Sequence, residues 1–269
     1  MSFVLGLAQC GCPSDGDVVA QVARIAKEAS RKGVGLLVFP EGLMCPRELL
    51  TPELHELAEP LDGAFVEAMR TTARQERLWM VFTFYETAAL GDPPYNTAVV
   101  VDGEGAICGT YRKTHLYDAH GVRESERTQA GDAHFAPIDT PFGRVGLAIC
   151  YDLRFCEVSR AAMLGGCELL LYPSAWYDGP EKAEHWKTLL RARAIENQLF
   201  VAGVCKAGER YVGTSLVSDP LGRVVAQAIG KSEELVVCDV DLDFVAVTRD
   251  AMPLASHRRP ELYPERRQR

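Results

Sequence analysis

Short apolar runs of strand-like composition alternate with helical patterns along the chain, and this alternation constrains the fold more than any other feature. A strand pattern at 3–9 precedes a helical stripe at about 15–32, and a buried strand at 35–39 precedes a helix at roughly 62–77. Elements in this order pack as sheets covered by helices. The sequence therefore predicts an α/β fold.

The later elements continue the alternation and then become rich in strands. Helices are predicted at about 156–165 and at 181–197, the second with Trp186, Leu189, Leu190 and Ile195 as its apolar positions. Strands are predicted at 78–85, 97–102, 106–111, 145–149, 168–172, 199–205, 214–218, 223–228 and 235–240. No linker, repeat or low-complexity segment separates these elements, so we predict a single domain over residues 1–269.

Length, hydropathy and charge narrow the class of protein. The chain of 269 residues is long enough for one large domain with a well-buried core. No apolar run approaches the roughly eighteen residues that span a bilayer, and the first residues lack the basic region of a signal peptide. The net charge of −8 argues against nucleic acid, because phosphate binding needs a basic face. We therefore expect a cytoplasmic protein with neither a membrane nor a nucleic-acid partner.

The basic residues near the end of the chain are the exception to this acidic character. They are Arg258, Arg259, Arg266, Arg267 and Arg269. We expect residues 250–269 to form a C-terminal tail that is solvated or contacts another subunit, rather than a nucleic-acid patch.

Cysteine and histidine spacing bears on metals and redox state. The nine cysteines are an odd number, and no pair shows the C-x-x-C spacing of zinc or thioredoxin-type sites. The six histidines also lack metal-ligand spacing, and no Gly-rich phosphate loop occurs. An odd count without a secretory signal indicates reduced thiols. We predict no metal and no cofactor, and any one cysteine remains a candidate nucleophile.

Three apolar strands end abruptly in a polar turn that carries an ionisable residue. The segments end in Phe-Pro-Glu41-Gly, Tyr-Arg-Lys113-Thr-His and Ala-Ile-Cys150-Tyr-Asp. Catalytic side chains of α/β folds usually lie at the carboxyl ends of strands. A thiol needs a base or a nearby cation to become a nucleophile, and the other two residues supply both. The backbone N–H of Tyr151 would provide a further oxyanion donor.

Each of these residues also has a purely structural interpretation when taken alone. Glu41 is compatible with a turn carboxylate, Lys113 with a surface lysine and Cys150 with a core thiol. A Cys150 pair with His115 or His185 is a chemical alternative. We expect instead that His115 orients the lysine loop, that His185 packs at a helix start, and that Cys156 serves packing.

The three segments, in this order and at these separations, resemble the nitrilase superfamily of carbon–nitrogen hydrolases. The resemblance covers nearly the whole chain, through Pro173-Ser-Ala175 and Leu190-Arg-Ala-Arg-Ala-Ile-Glu-Asn197 to His257-Arg-Arg-Pro-Glu-Leu-Tyr263. It implies a four-layer α-β-β-α sandwich of the nitrilase type that often pairs into homodimers or larger oligomers. It also implies Glu41 as general base, Lys113 as oxyanion stabiliser and Cys150 as the acylated nucleophile.

The resemblance implies further site residues. A second glutamate is expected in the loop after the lysine, where Glu124 matches best, Glu126 is the alternative, and a solvent-facing carboxylate is the structural reading. Arg154 matches an arginine near the substrate's carboxylate, although an internal salt bridge with Asp152 or Glu157 would also suit it. Trp176 is a further expected substrate-binding residue.

The motifs resemble most closely the Nit-type ω-amidase and deaminated-glutathione amidase branch. This resemblance implies hydrolysis of the carboxamide of a small carboxylate-bearing metabolite through a cysteine thioester, with release of ammonia. The alternatives are N-carbamoyl or aliphatic amide hydrolysis, nitrile hydrolysis, and a catalytically silent interaction protein. Two departures bear on the acyl group: the branch's Thr-Gly-Pro threonine is missing before His185-Trp186, and an aromatic strand end at Val81–Tyr85 is expected to narrow the pocket.

Overall fold

The strands and helices of the chain form two sheets with helices on their outer faces. The computed structural model describes residues 2–13, 16–45 and 54–262. The strands are β1 (Ser2–Gln9), β2 (Leu36–Val38), β3 (Trp79–Glu86), β4 (Tyr95–Val101), β5 (Ile107–Arg112), β6 (Ile138–Thr140), β7 (Gly143–Leu147), β8 (Leu169–Ser174), β9 (Phe200–Cys205), β10 (Leu216–Ser218), β11 (Val224–Gln227) and β12 (Glu234–Asp241). The α-helices are α1 (Val18–Arg31), α2 (Leu54–Leu57), α3 (Ala64–Glu76), α4 (Cys156–Leu164), α5 (Lys182–Asn197) and α6 (Asp243–Ala251).

The two six-stranded sheets have equivalent topologies. The first has the order β12-β1-β2-β3-β4-β5 and the second the order β11-β10-β9-β8-β7-β6. Strands β1, β2 and β3 are parallel, as are β7, β8 and β9, whereas the outer strands pair antiparallel. Each sheet therefore has a parallel centre whose strand ends can carry active-site residues.

Side-chain alternation along the strands creates two separate cores. Leu5 and Leu7 of β1 belong to the core shared with the second sheet, whereas Phe82 and Phe84 of β3 pack in the core formed with α1 and α3. Helices α4 and α5 cover the opposite side of the second sheet. The resulting order, helices, sheet, sheet, helices, is the predicted four-layer sandwich. In the part of the chain that the structure describes, no helix is both long and apolar enough to span a bilayer.

The sequence-based elements agree with the observed ones to within a few residues, with four corrections. Ile195 was expected on the apolar side of its helix but is 46% exposed. Strand β6 and the helices α2 and α6 were not predicted, and α6 extends to Ala251, into the predicted tail. Residues 263–269 of that tail lie outside the described residues. Three of the tail's arginines are in this segment.

Candidate active site

The three strand ends singled out in the sequence converge on one place. Glu41 follows β2, Lys113 follows β5, and Cys150 follows β7 of the second sheet. The ammonium Nζ of Lys113 lies 2.8 Å from Oε1 of Glu41, and all three residues are buried. The structure therefore assembles a carboxylate, an amine and a thiol between the two sheets.

Both carboxylate oxygens of Glu41 accept hydrogen bonds. Oε1 accepts hydrogen bonds from Nδ2 of Asn96 at 2.8 Å and from Nζ of Lys113. Oε2 accepts the backbone N–H of Ala175 at 2.8 Å, a group that belongs to the second sheet. These bonds fix the orientation of the carboxylate beside Cys150. Neither Asn96 nor Ala175 was predicted as a partner of Glu41; the one sequence signal is the polar pair Asn96 and Thr97 at the start of a strand that continues as an apolar run.

Lys113 lies between two carboxylates. Its Nζ donates to both carboxylate oxygens of Glu124 at 2.9 and 2.8 Å, in addition to Glu41. Burial lowers the pKa of Lys113, but the charges of Glu124 and Glu41 outweigh it and raise that pKa well above its ordinary value. Lys113 is therefore an ammonium at neutral pH.

The choice between Glu124 and Glu126 is decided by the short 3₁₀ turn at Glu124–Glu126. Oε2 of Glu124 also accepts the backbone N–H of Tyr117 at 2.7 Å, which holds this carboxylate toward Lys113. The side chain of Glu126 is 68% exposed and pairs only loosely with Arg123, at 3.7 Å. The structure thus places Glu124, and not Glu126, against the lysine.

Cys150 occupies a strained turn at the carboxyl end of β7. It begins a 3₁₀ helix (Cys150–Arg154), and its φ of 46° lies in the left-handed region that residues with a Cβ rarely adopt. Burial first, and then the charge of Glu41, raise the pKa of the Cys150 thiol well above its ordinary value, while Lys113 opposes them. The resting group is therefore a thiol beside the side chain of Glu41 rather than a preformed thiolate.

The histidine alternatives are not supported by the geometry. Nδ1 of His115 lies 2.8 Å from Oδ1 of Asp152, and its ring stacks on Phe155. Nδ1 of His185 lies 3.5 Å from the guanidinium of Arg154. His115 thus contacts Asp152, and its expected role in orienting the lysine loop stays a prediction. The packing role expected for His185 is wrong, because this residue is exposed. The packing role expected for Cys156 is wrong, because this residue is exposed.

The three residues line a cavity that is open to solvent. Its wall includes Tyr151, whose backbone N–H follows Cys150 directly, and the aromatic residues Tyr117, Trp176 and Tyr177. Tyr85 is the one residue of the aromatic strand end at 81–85 that reaches this cavity, since Phe82 and Phe84 point into the helix-side core. The aromatic strand end therefore contributes a single ring to the wall of the cavity, and its expected narrowing of the pocket stays a prediction.

Part of the cavity wall carries cationic side chains. The guanidinium of Arg154 lies over the ring of Trp176, 4.8 Å from its centroid, and makes no ion pair with Asp152 or Glu157. The indole Nε1 of Trp176 donates to the backbone oxygen of Lys182, whose Nζ donates to the Tyr117 hydroxyl at 3.1 Å. Among the described residues, neither Arg154 nor Lys182 has a carboxylate partner, so this wall suits an anionic ligand. Sequence reasoning missed Lys182.

The chain is similar to known proteins in both sequence and structure. A sequence profile of the carbon–nitrogen hydrolase family matches residues 5–250. Deaminated glutathione amidase of Bos taurus is 38% identical over 258 residues, covering 90% of this chain and 77% of the relative. Omega-amidase NIT2-A of Xenopus laevis is 34% identical, covering 97% of this chain and 96% of the relative. The crystal structure of a carbon–nitrogen hydrolase from Helicobacter pylori superposes with a TM-score of 0.90 at 27% identity, covering 100% and 99% of the two chains.

Proposed function

The chain belongs to the carbon–nitrogen hydrolase family and is an amidohydrolase, and from this premise we propose that it uses Cys150 as its nucleophile on a carboxylate-bearing amide. The observation that carries the proposal is the buried cluster of Glu41, Lys113 and Cys150 at the floor of the cavity. These residue types supply a base, a cation and a nucleophile to one reacting carbon.

In the first half of the reaction, Glu41 takes the proton of the Cys150 thiol as the sulfur attacks the amide carbon. The tetrahedral oxyanion forms between the ammonium of Lys113 and the backbone N–H of Tyr151, which stabilise its charge. Glu41 then delivers its proton to the amide nitrogen. The C–N bond breaks, ammonia leaves, and the acyl group remains on sulfur as a thioester.

In the second half, water replaces ammonia. Glu41 accepts a proton from this water as its oxygen attacks the thioester carbon, and the same two donors stabilise the second oxyanion. The C–S bond then breaks, the carboxylic acid leaves, and Cys150 regains its proton from Glu41. Glu124 holds Lys113 in place through both halves without touching the reacting atoms.

The cationic wall supports an acyl group that carries a carboxylate. Arg154 presents a guanidinium that suits bidentate carboxylate binding, and its stacking on Trp176 fixes the plane of that group. Two relatives are named deaminated glutathione amidase and omega-amidase, and amide hydrolysis by those proteins agrees with the proposal. We therefore assign the ω-amide of a 2-oxo acid or deaminated glutathione as the substrate class.

The test is ammonia release from a panel of five compounds: deaminated glutathione, 2-oxoglutaramate, an N-carbamoyl amino acid, a neutral aliphatic amide and a nitrile. Turnover of one of the first two supports the proposal. Carbon dioxide released together with ammonia would identify an N-carbamoyl hydrolase instead. Preferential turnover of the neutral amide or of the nitrile would contradict the carboxylate assignment.

Arg154→Met tests the carboxylate contact within the same panel. We expect kcat/KM for the carboxylate-bearing amide to fall by about 100-fold, mainly through KM, while a neutral amide is turned over as before. Arg154→Lys should recover little, because an ammonium cannot form the two parallel hydrogen bonds. The matched control is Arg160→Met, because Arg160 is not part of the cavity lining. Equal losses for charged and neutral amides in Arg154→Met would show that the arginine does not read the carboxylate.

We also propose that the protein is a homodimer formed across its second helical layer. Ile195 of α5 and Val247 and Met252 at α6 are apolar residues with exposed fractions of 46%, 59% and 49%. Nε2 of Gln198, at the end of α5, donates to the backbone oxygens of Thr248 and Met252, so the ends of the two helices lie together. Clustered exposed apolar residues are typical of subunit interfaces. Sedimentation equilibrium should give twice the mass of one chain, and Val247→Glu should shift the protein toward monomer. A wild-type protein that is monomeric at micromolar concentration would contradict the proposal.

A cytoplasmic location is proposed on the state of the thiols. Cys156 is exposed and forms no disulfide. Unpaired exposed thiols suit a reducing compartment. Thiol titration of protein purified from cells should give nine free groups, and a lower number would argue against this location.

A further inference from the structure

The buried carboxylate of Asp152 joins the two halves of the active site. Oδ2 of Asp152 accepts the backbone N–H of Ile149 and the hydroxyl of Tyr111, each at 2.8 Å. Oδ1 accepts the backbone N–H of His115 at 3.1 Å, Nδ1–H of the same residue at 2.8 Å and the hydroxyl of Thr114 at 3.2 Å. Asp152 has no exposed surface, and among the described residues it has no lysine or arginine partner.

The donors come from both sides of the catalytic cluster. Tyr111, Thr114 and His115 flank Lys113 in the chain and belong to the first sheet and its following loop. Ile149 and Asp152 flank Cys150 and belong to the turn after β7 of the second sheet. A single carboxylate thus ties the lysine segment to the cysteine turn by hydrogen bonds, and its bond to Ile149 closes the turn in which Cys150 has its positive φ.

We propose that Asp152 is a positioning residue that sets the distance between the ammonium of Lys113 and the sulfur of Cys150. Its carboxylate touches neither the substrate cavity nor the thiol, so it acts through the two segments that it joins. Displacement of about 1 Å in a reacting group costs on the order of 100-fold in rate, so this spacing matters for catalysis. The inference rests on the roles proposed above for Lys113 and Cys150.

The alkylation rate of Cys150 distinguishes a positioning role of Asp152 from a purely structural one. The two roles predict opposite changes in this rate when the hydrogen bonds of Asp152 are weakened. The charge of Lys113 lowers the pKa of the Cys150 thiol and so favours the thiolate that alkylates. If Asp152 positions Lys113, then weakening its bonds moves the ammonium away and slows alkylation. If Asp152 only supports the fold, then the same change loosens the packing over a buried thiol and speeds alkylation.

The experiment follows iodoacetamide labelling of the Cys150 peptide by mass spectrometry at pH 7.5, in folded protein. Tyr111→Phe and Thr114→Val each remove one hydroxyl donor from the lysine side. We expect each to slow labelling by about threefold to tenfold, and Thr114→Ser to restore the wild-type rate. Tyr172→Phe is the matched control, because the Tyr172 hydroxyl is buried and makes no hydrogen bond within the described residues.

Asp152→Asn provides the second test and guards against misfolding as an explanation. Asp152→Asn should slow labelling more than either donor variant, and adding Thr114→Val to it should cause no further loss, because both act through one carboxylate. Faster labelling in the donor variants, rates equal to those of Tyr172→Phe, or additive losses would overturn the proposal. None of these readouts needs a substrate, so ammonia release that survives in Cys150→Ala would sink the proposed function without touching this result.

Discussion

Cys150→Ala is expected to abolish ammonia release from the preferred amide of the panel, by a factor on the order of 10⁴ or more. The proposed reaction forms its one covalent intermediate on this sulfur, and no neighbouring group substitutes for it. The described cavity lining contains no other thiol, serine or histidine, and its one threonine, Thr128, is 1% exposed. The variant should fold normally, since alanine removes a single atom from a turn that remains closed by the Ile149–Asp152 bond.

The matched control is Cys156→Ala, six residues further along the chain. Cys156 is exposed and its Sγ lies 3.5 Å from the carboxylate of Glu157, away from the cavity. Its replacement should leave ammonia release unchanged within a factor of about two. Hydroxylamine offers a positive readout: wild type should convert the thioester into a hydroxamate, and Cys150→Ala should form none. Undiminished turnover in Cys150→Ala would require a different nucleophile and would overturn the mechanism.

The contrast between what the sequence predicted and what it missed follows from the range of the interactions. Glu41, Lys113 and Cys150 could be singled out because each follows its own apolar strand, a local pattern that is visible in one segment, and the family resemblance then implied their roles. The groups that orient them were missed because they come from elsewhere. The N–H of Ala175 reaches Glu41 across the two sheets, from 134 residues away in the chain. No local pattern specifies which backbone donor faces a carboxylate on the opposite sheet.

The contacts of Glu124 and Asp152 also depend on parts of the chain that a local sequence pattern does not show. Glu124 and Glu126 are the same residue type only two positions apart. The 3₁₀ turn and the hydrogen bond from the Tyr117 N–H are what make Glu124 the buried carboxylate and Glu126 the exposed one. Asp152 was considered only as a partner for Arg154, yet it accepts five hydrogen bonds from other groups. A buried carboxylate must be satisfied, but the sequence does not say by which donors.

Lys113→Met is expected to damage both catalysis and folding. The ammonium contributes to the oxyanion site in both halves of the reaction, so kcat should fall by a factor on the order of 10³. The same change leaves the carboxylates of Glu41 and Glu124 without their cation, with side chains that are only 4% and 16% exposed. We expect the free energy of unfolding to fall by about 3–5 kcal/mol. Urea denaturation and ammonia release would measure the two effects.

The pH at which stability is measured matters for this comparison. The pKa of Lys113 is raised in the folded protein, so its stabilising contribution is fully present below the pKa of the unfolded lysine, about 10.4, and is lost as pH rises through the folded value. The stability difference between wild type and Lys113→Met is therefore at its full size at pH 7 with respect to this lysine. Lys27→Met, on an exposed position of α1, is the control and should change stability by no more than about 0.5 kcal/mol.

A double variant separates the two roles of the lysine. In Lys113→Met/Glu124→Gln one of the two stranded carboxylates is made neutral, so part of the lost stability should return, by about 1–2 kcal/mol. Catalysis should not return with it, because the cation that stabilises the oxyanion is still missing. Recovery of activity along with stability would mean that Lys113 serves the fold alone, and that the oxyanion is stabilised by backbone donors such as the N–H of Tyr151. Recovery of stability without activity would assign the ammonium to the chemistry and Glu124 to holding it there.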